Sequence, residues 1–96
     1  MKRYVITPRA SADLDEIWNY IARDNLTAAD RVEEKLFAAM AKLAEMPGLG
    51  HTRRDVTDPR YRFWRVYSYL IAYRLDTDPL QIIRVISGRR DIARLF

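Results

Sequence analysis

The spacing of apolar residues changes character midway along the chain. In the first half it is helical: Leu14, Ile17, Trp18 and Ile21 recur at three- and four-residue steps, and Ala29, Val32, Leu36, Met40 and Leu43 do the same. In the second half, β-branched and aromatic residues gather into three short runs, Tyr61 to Tyr67, Tyr69 to Leu75 and Leu80 to Ser87. A brief β-like run, Tyr4-Val5-Ile6, precedes the first helix.

The residues between these runs mark where each element stops. Thr7 suits a helix N-cap and Pro8 the first helical position, where its missing N–H costs nothing. Asp13, Asp15 and Glu16 lie toward the positive end of that helix. Asp24-Asn25 breaks it. A second helix is predicted from Thr27, with Asp30 in capping-box position, and Pro47-Gly48 stops it. A polar loop, Gly50 to Pro59, leads to the strands, with Val56 a candidate for a further short one. Asp76-Thr77-Asp78-Pro79 should turn the last two runs into a hairpin. Arg90 to Leu95 can form a terminal helical turn. The predicted order is β-α-α-β-β-β: a single α+β domain over residues 1–96, its helical hairpin packed on one face of a small antiparallel sheet that the N-terminal strand joins. Trp18 is expected in the core between hairpin and sheet, and Trp64 either there or in a binding groove.

One helical layer leaves the second sheet face open. Strand alternation places Ile71 and Tyr73 on one side, with Leu70, Ala72 and Arg74 on the other. It likewise sets Arg84 opposite Ile83 and Val85, and Arg65 stands mid-strand. A guanidinium inside a strand must reach water or a partner. Ordinary alternation on a half-exposed sheet accounts for any one of these arginines. It does not account for Arg65, Arg74, Arg84, Arg89 and Arg90 together.

Charge sharpens that pattern. The net +4 divides unevenly: residues 1–50 carry seven bases and eight acids, residues 51–96 ten and five, and all ten bases are arginine. Arginine presents a planar fork of donors suited to carboxylate or phosphate. A genome rich in G and C would explain the residue type but not the asymmetry. The absence of cysteine excludes a disulfide framework and thiolate metal sites. No apolar stretch approaches a membrane span and the start is too short for a secretory signal, so a cytoplasmic, cofactor-free domain is expected.

Enzyme signatures are sparse. His51, the single histidine, lies in a glycine-containing loop with no partner at metal-ligand spacing. Pro47-Gly48-Leu49-Gly50 follows a helix and lacks the P-loop lysine, so it reads as a helix stop. A Ser68 or Ser87 triad with His51 lacks a nucleophile elbow. Metal-free RNA cleavage needs a base, an acid and cations around the phosphate. The arginines could supply the cations, but the proton-transfer pair is missing, and Tyr61, Tyr67, Tyr69 and Tyr73 read as packing residues. No catalytic or metal-binding residue is assigned.

The ordered segments "ITPRASADLDEIWNYIA", "MPGLGHTRR", "YLIAYRL" and "IIRVISGRRD" resemble the ParE/RelE superfamily of toxins from type II toxin–antitoxin systems, over essentially the whole chain and most closely the ParE branch. The resemblance implies a toxin that inhibits DNA gyrase and is held inactive in a hetero-oligomer with a ParD-like antitoxin. The alternative it implies is a RelE-like, ribosome-dependent mRNA endonuclease, whose branch uses a tyrosine or histidine near the C-terminus. Arg94-Leu95-Phe96 lacks such a residue. A simple nucleic-acid-binding module is a third reading. Antitoxins of this kind wrap the toxin with an acidic segment, which needs cations and apolar grooves. Arg65, Arg74, Arg84, Arg89, Arg90, Arg94 and Trp64 are therefore the expected target- or antitoxin-binding residues. At Gly88-Arg89-Arg90 the last strand would open into a recognition corner, unless Asp91 pairs with Arg89, Arg90 or Arg94 and makes it structural.

Overall fold

Thr7 joins the first strand to the first helix and ties both to the last strand. Its Oγ1 accepts from the Ala10 N–H at 3.3 Å, as an N-cap should, and donates to the Ile82 carbonyl at 2.9 Å. The computed structural model in which this is seen describes residues 3–87 and 92–96, with side chains at 92, 94 and 96 in the last stretch. The elements are β1 (Tyr4–Ile6), α1 (Pro8–Ala22), α2 (Leu26–Glu45), a 3₁₀ turn (Pro47–Leu49), β2 (Tyr61–Val66), β3 (Tyr69–Arg74), β4 (Leu80–Ser87) and a terminal 3₁₀ turn (Ile92–Leu95). The predicted α+β order is found, without a strand at Val56.

The sheet runs β1-β4-β3-β2. β2, β3 and β4 form an antiparallel meander, while β1 pairs with β4 in parallel, so the sheet is mixed. Ala10 and Leu14 of α1 and Leu36, Met40 and Leu43 of α2 pack with Ile71, Tyr73, Ile82 and Val85 into the larger core. That is the stripe-on-sheet arrangement the periodicities require.

The second helix begins earlier than the capping-box reading predicts. Asn25 is its N-cap, accepting from the Ala28 N–H at 3.0 Å. Asp30 accepts instead from the Trp18 indole N–H at 3.0 Å and clasps α1 to α2. Trp18, expected in the sheet core, is half-buried along the helical hairpin. Replacing Asn25 with alanine should cost about 1 kcal/mol. Thr27→Ala, measured beside it by urea denaturation, should cost clearly less.

Two expectations about the sheet are overturned. First, alternation breaks in β4. Ala72 faces Arg84 but Tyr73 faces Ile82, so Ile83 is the extra residue of a β-bulge. Ile82 and Val85, three apart, therefore both join the helix-side core. Second, the other sheet face is not open. Phe63, Leu70, Ala72 and Ile86 are covered there by Val56 from the polar loop and Ile92 from the terminal turn. Phe96 adds its ring against Tyr61 and Phe63, at centroid distances of 5.0 and 5.6 Å.

Two residues, Tyr67 and Ser68, connect β2 to β3. Tyr67 has φ of 54°, alone in positive φ among the described residues. For a bulky L-residue this backbone region costs on the order of 1–2 kcal/mol.

Candidate functional site

The arginines predicted to form one cationic surface have separate fates. Arg84 is buried. Beyond Ile82, where β1 ends, α1 takes over the edge of β4, and Asp13 supplies the acceptors a further strand would have given. Its carboxylate accepts from Arg84 Nε at 2.8 Å, Arg84 Nη2 at 3.1 Å and the Val85 N–H at 3.0 Å. Both side chains are almost wholly removed from solvent. The hydrogen bond to Asp13 raises the Arg84 pKa above its ordinary value, against the opposing effect of burial. The expectation of an unneutralised Arg84 is thus corrected: the bulge brings it within reach of α1. Asp13 is half of a buried ion pair and not merely a complement to the helix dipole.

Arg74 is also engaged. It forms a bidentate pair with Asp76, at 3.0 and 2.8 Å, and its guanidinium carbon lies 6.0 Å from the centre of the Tyr61 ring. Trp64 packs half-buried against the helix-side core with Lys42 Nζ 5.7 Å from its ring centre. Arg94 projects from the terminal turn with an exposed side chain. Arg89 and Arg90, with Gly88 and Asp91, lie outside the described residues. Arg65 is different: it is exposed on β2 and has no carboxylate partner among the described residues.

What the sequence reading missed is a groove between α1 and the paired ends of β3 and β4. It encloses about 780 Å³, with Asp15, Ile17, Tyr20 and Arg23 on the helix side and Tyr69 and Ser87 on the sheet side. Tyr20 stands 70% exposed. A lining that mixes apolar side chains such as Ile17 and Val85 with charged and hydroxyl groups suits an amphipathic peptide segment. An exposed aromatic beside the α1 stripe was the available signal, but the groove exists only once α1 has docked along β4.

The hydrogen-bonding groups near the loop are structural. His51 exchanges backbone hydrogen bonds with Phe63, at 2.9 and 2.8 Å, and its side chain is exposed. Tyr73, fully buried, accepts from the Gly50 N–H at 2.8 Å and donates to the Pro47 carbonyl. Burial raises its hydroxyl pKa, so it stays protonated near neutrality. Among the described residues no three His, Asp or Glu side chains converge as metal ligands, and no helix is long and apolar enough to cross a membrane.

The family follows from comparison with known proteins. The sequence model described as "ParE toxin of type II toxin-antitoxin system, parDE" matches residues 4–92. The chain belongs to the ParE toxin family. Toxin ParE1 of Caulobacter vibrioides is 34% identical over 87 residues, covering 90% of this chain and 88% of the relative. Toxin ParE3 of the same bacterium is 28% identical over 94 residues, covering 97% and 93%. Toxin ParE1 of Mycobacterium tuberculosis is 29% identical over 94 residues, covering 96% and 95%. Among solved structures, a chain of the chromosomal ParDE system from P. aeruginosa superposes with a TM-score of 0.73 over 91% of this chain and 96% of that one, at 21% identity. That likeness shows the fold. This ParE-type toxin thus builds the family architecture with most of its strand arginines satisfied internally.

A further internal pair, in the loop before β2, can be read by titration. Arg60 hydrogen-bonds the half-buried Asp58 carboxylate, closest at 2.7 Å, and with its own backbone N–H holds the Asp58 pKa at about 2. A lowered carboxyl pKa stabilises the fold fully above the ordinary value of 3.8, and the effect is lost as pH falls from there through about 2. An NMR titration should place the Asp58 midpoint near 2 in the native chain. In Arg60→Ala it should return toward the ordinary carboxyl range.

Proposed function

We propose that this ParE-type toxin acts in the cytoplasm by binding and inhibiting DNA gyrase, and that a ParD-like antitoxin neutralises it in a hetero-oligomer. The observation that carries this reading is the family match across residues 4–92. The structure supports it in two ways. The groove beside α1 has the dimensions and mixed lining that a folded-on-binding peptide segment needs. Among the described residues, neither His51, on the loop, nor Tyr73, whose hydroxyl is committed to Gly50 and Pro47, is placed as an acid–base pair for RNA cleavage.

A supercoiling assay with purified, folded chain tests the proposal. Inhibition at micromolar excess is expected, and it should be relieved by the product of the neighbouring gene. No inhibition, with new codon-positioned ends on translated mRNA, would replace gyrase with the ribosome. The neighbouring product should also raise the thermal midpoint, because a ligand specific to the native state stabilises by about 2.7 kcal/mol at a hundred times its Kd. Equal midpoints with and without it would remove the antitoxin from the proposal.

A further inference from the structure

Tyr67 does nothing for the fold that its own side chain can account for. The residue is 53% exposed, and its side chain forms no hydrogen bond or ring contact with any described residue. Its backbone nevertheless holds φ at 54°, at the first position of a two-residue hairpin connection, where glycine or asparagine is ordinarily favoured. A residue that is strained and contributes no packing lowers stability. Such outliers are characteristically found where a chain meets a partner.

The neighbouring charge points the same way. Two residues before Tyr67, Arg65 is exposed and unpaired among the described residues. Four other arginines of the loop and strands are taken by the chain's own carboxylates, Arg53 by Asp55, Arg60 by Asp58, Arg74 by Asp76 and Arg84 by Asp13, and Arg62 bonds backbone carbonyls. The end of the β2–β3 hairpin therefore offers an exposed tyrosine two residues from an exposed arginine that has no carboxylate partner among the described residues. Tyrosine and arginine are the side chains most enriched at energetically dominant points of protein interfaces. A nucleic acid would need a row of free cations at phosphate spacing, and four of the arginines that could line one are held by the chain's own carboxylates.

We propose that Arg65 and Tyr67 form the contact by which this toxin grips its target. The target is a protein surface that presents an apolar slot for the ring and a carboxylate for the guanidinium. The inference rests on the reading of the chain as a toxin that acts on a protein.

The strain makes a role in recognition separable from a role in folding. Tyr67→Gly and Tyr67→Asn should fit the turn without strain and raise the thermal midpoint by roughly 4–8 °C. The same variants should weaken inhibition of gyrase, and growth arrest on induced expression, by about tenfold or more. Tyr67→Phe should keep most of the potency, since the ring is what inserts. Arg65→Ala should lose potency with little change in midpoint. Wild-type chain that arrests growth but leaves gyrase untouched would overturn the gyrase reading, while the arrest assay still judges the hairpin tip. Variants of Tyr67 and Arg65 as potent as wild type would overturn the tip. So would a loss confined to binding of a labelled single-stranded RNA oligonucleotide, with inhibition and arrest intact.

Discussion

Replacing Asp13 with alanine is expected to remove about 3–5 kcal/mol of stability. A domain of this size has only about 5–15 kcal/mol to lose. The size of the effect comes from what is left behind. Arg84 and the Val85 N–H both donate to this carboxylate in a site closed to water. Without it a guanidinium and a strand N–H are buried with no acceptor, and a lone buried charge is far more costly than its pair was favourable. A double replacement, Asp13→Leu with Arg84→Met, should therefore be closer to wild type than Asp13→Ala alone. Urea denaturation of wild type, Asp13→Leu, Arg84→Met and the double variant measures the coupling directly. A single-mutant loss below about 1 kcal/mol would mean that water reaches the pair.

Gly50→Ala should be the next most damaging change, at about 2–4 kcal/mol. A Cβ built on Gly50 falls 2.2 Å from the Tyr73 hydroxyl oxygen and 2.7 and 2.8 Å from two ring carbons. The ring cannot yield cheaply, because Tyr73 is at the centre of the helix-side core. Its displacement would also break the hydroxyl's bonds to the Gly50 N–H and the Pro47 carbonyl, which fasten the end of α2 to β3. Gly48, two residues earlier, meets nothing within 4 Å and provides the control. Gly48→Ala should change stability by less than about 0.5 kcal/mol. Thermal denaturation of the two variants side by side tests whether space, and not backbone freedom, fixes glycine at position 50.

What could be read in advance follows from the range of the forces involved. Thr7-Pro8, Pro47-Gly48 and the Asp76 to Pro79 turn are local signals, and each sits where the sequence places it. The two helical stripes and the three strand runs fix the hairpin-on-sheet layering for the same reason. Failures occur where a distant residue decides. Thr27 and Asn25 both can cap; Asn25 does so, while the Asp30 of the presumed box is held by Trp18 on another helix. The partner of Arg84 is 71 residues away, and the run Ile82-Ile83-Arg84-Val85-Ile86 gives no local sign of a bulge. Cover for the second face comes from Val56 and Ile92, isolated apolar residues in stretches that show no period. Tyr67 is the reverse case: nothing in Val66-Tyr67-Ser68-Tyr69 announces a left-handed residue, because the usual glycine or asparagine is absent.

The position of β4 has a consequence for how the toxin comes into being. It is the last strand in the chain and the one that holds β1 and β3 together. During translation, the earlier segments emerge before the piece that unites them. A nascent polypeptide interrupted before Leu80 would carry two helices and a β-hairpin but lack the strand that joins β1 to β3. The four-stranded sheet can exist only once Leu80–Ser87 has been made, and until then α1 has no strand edge to lie along.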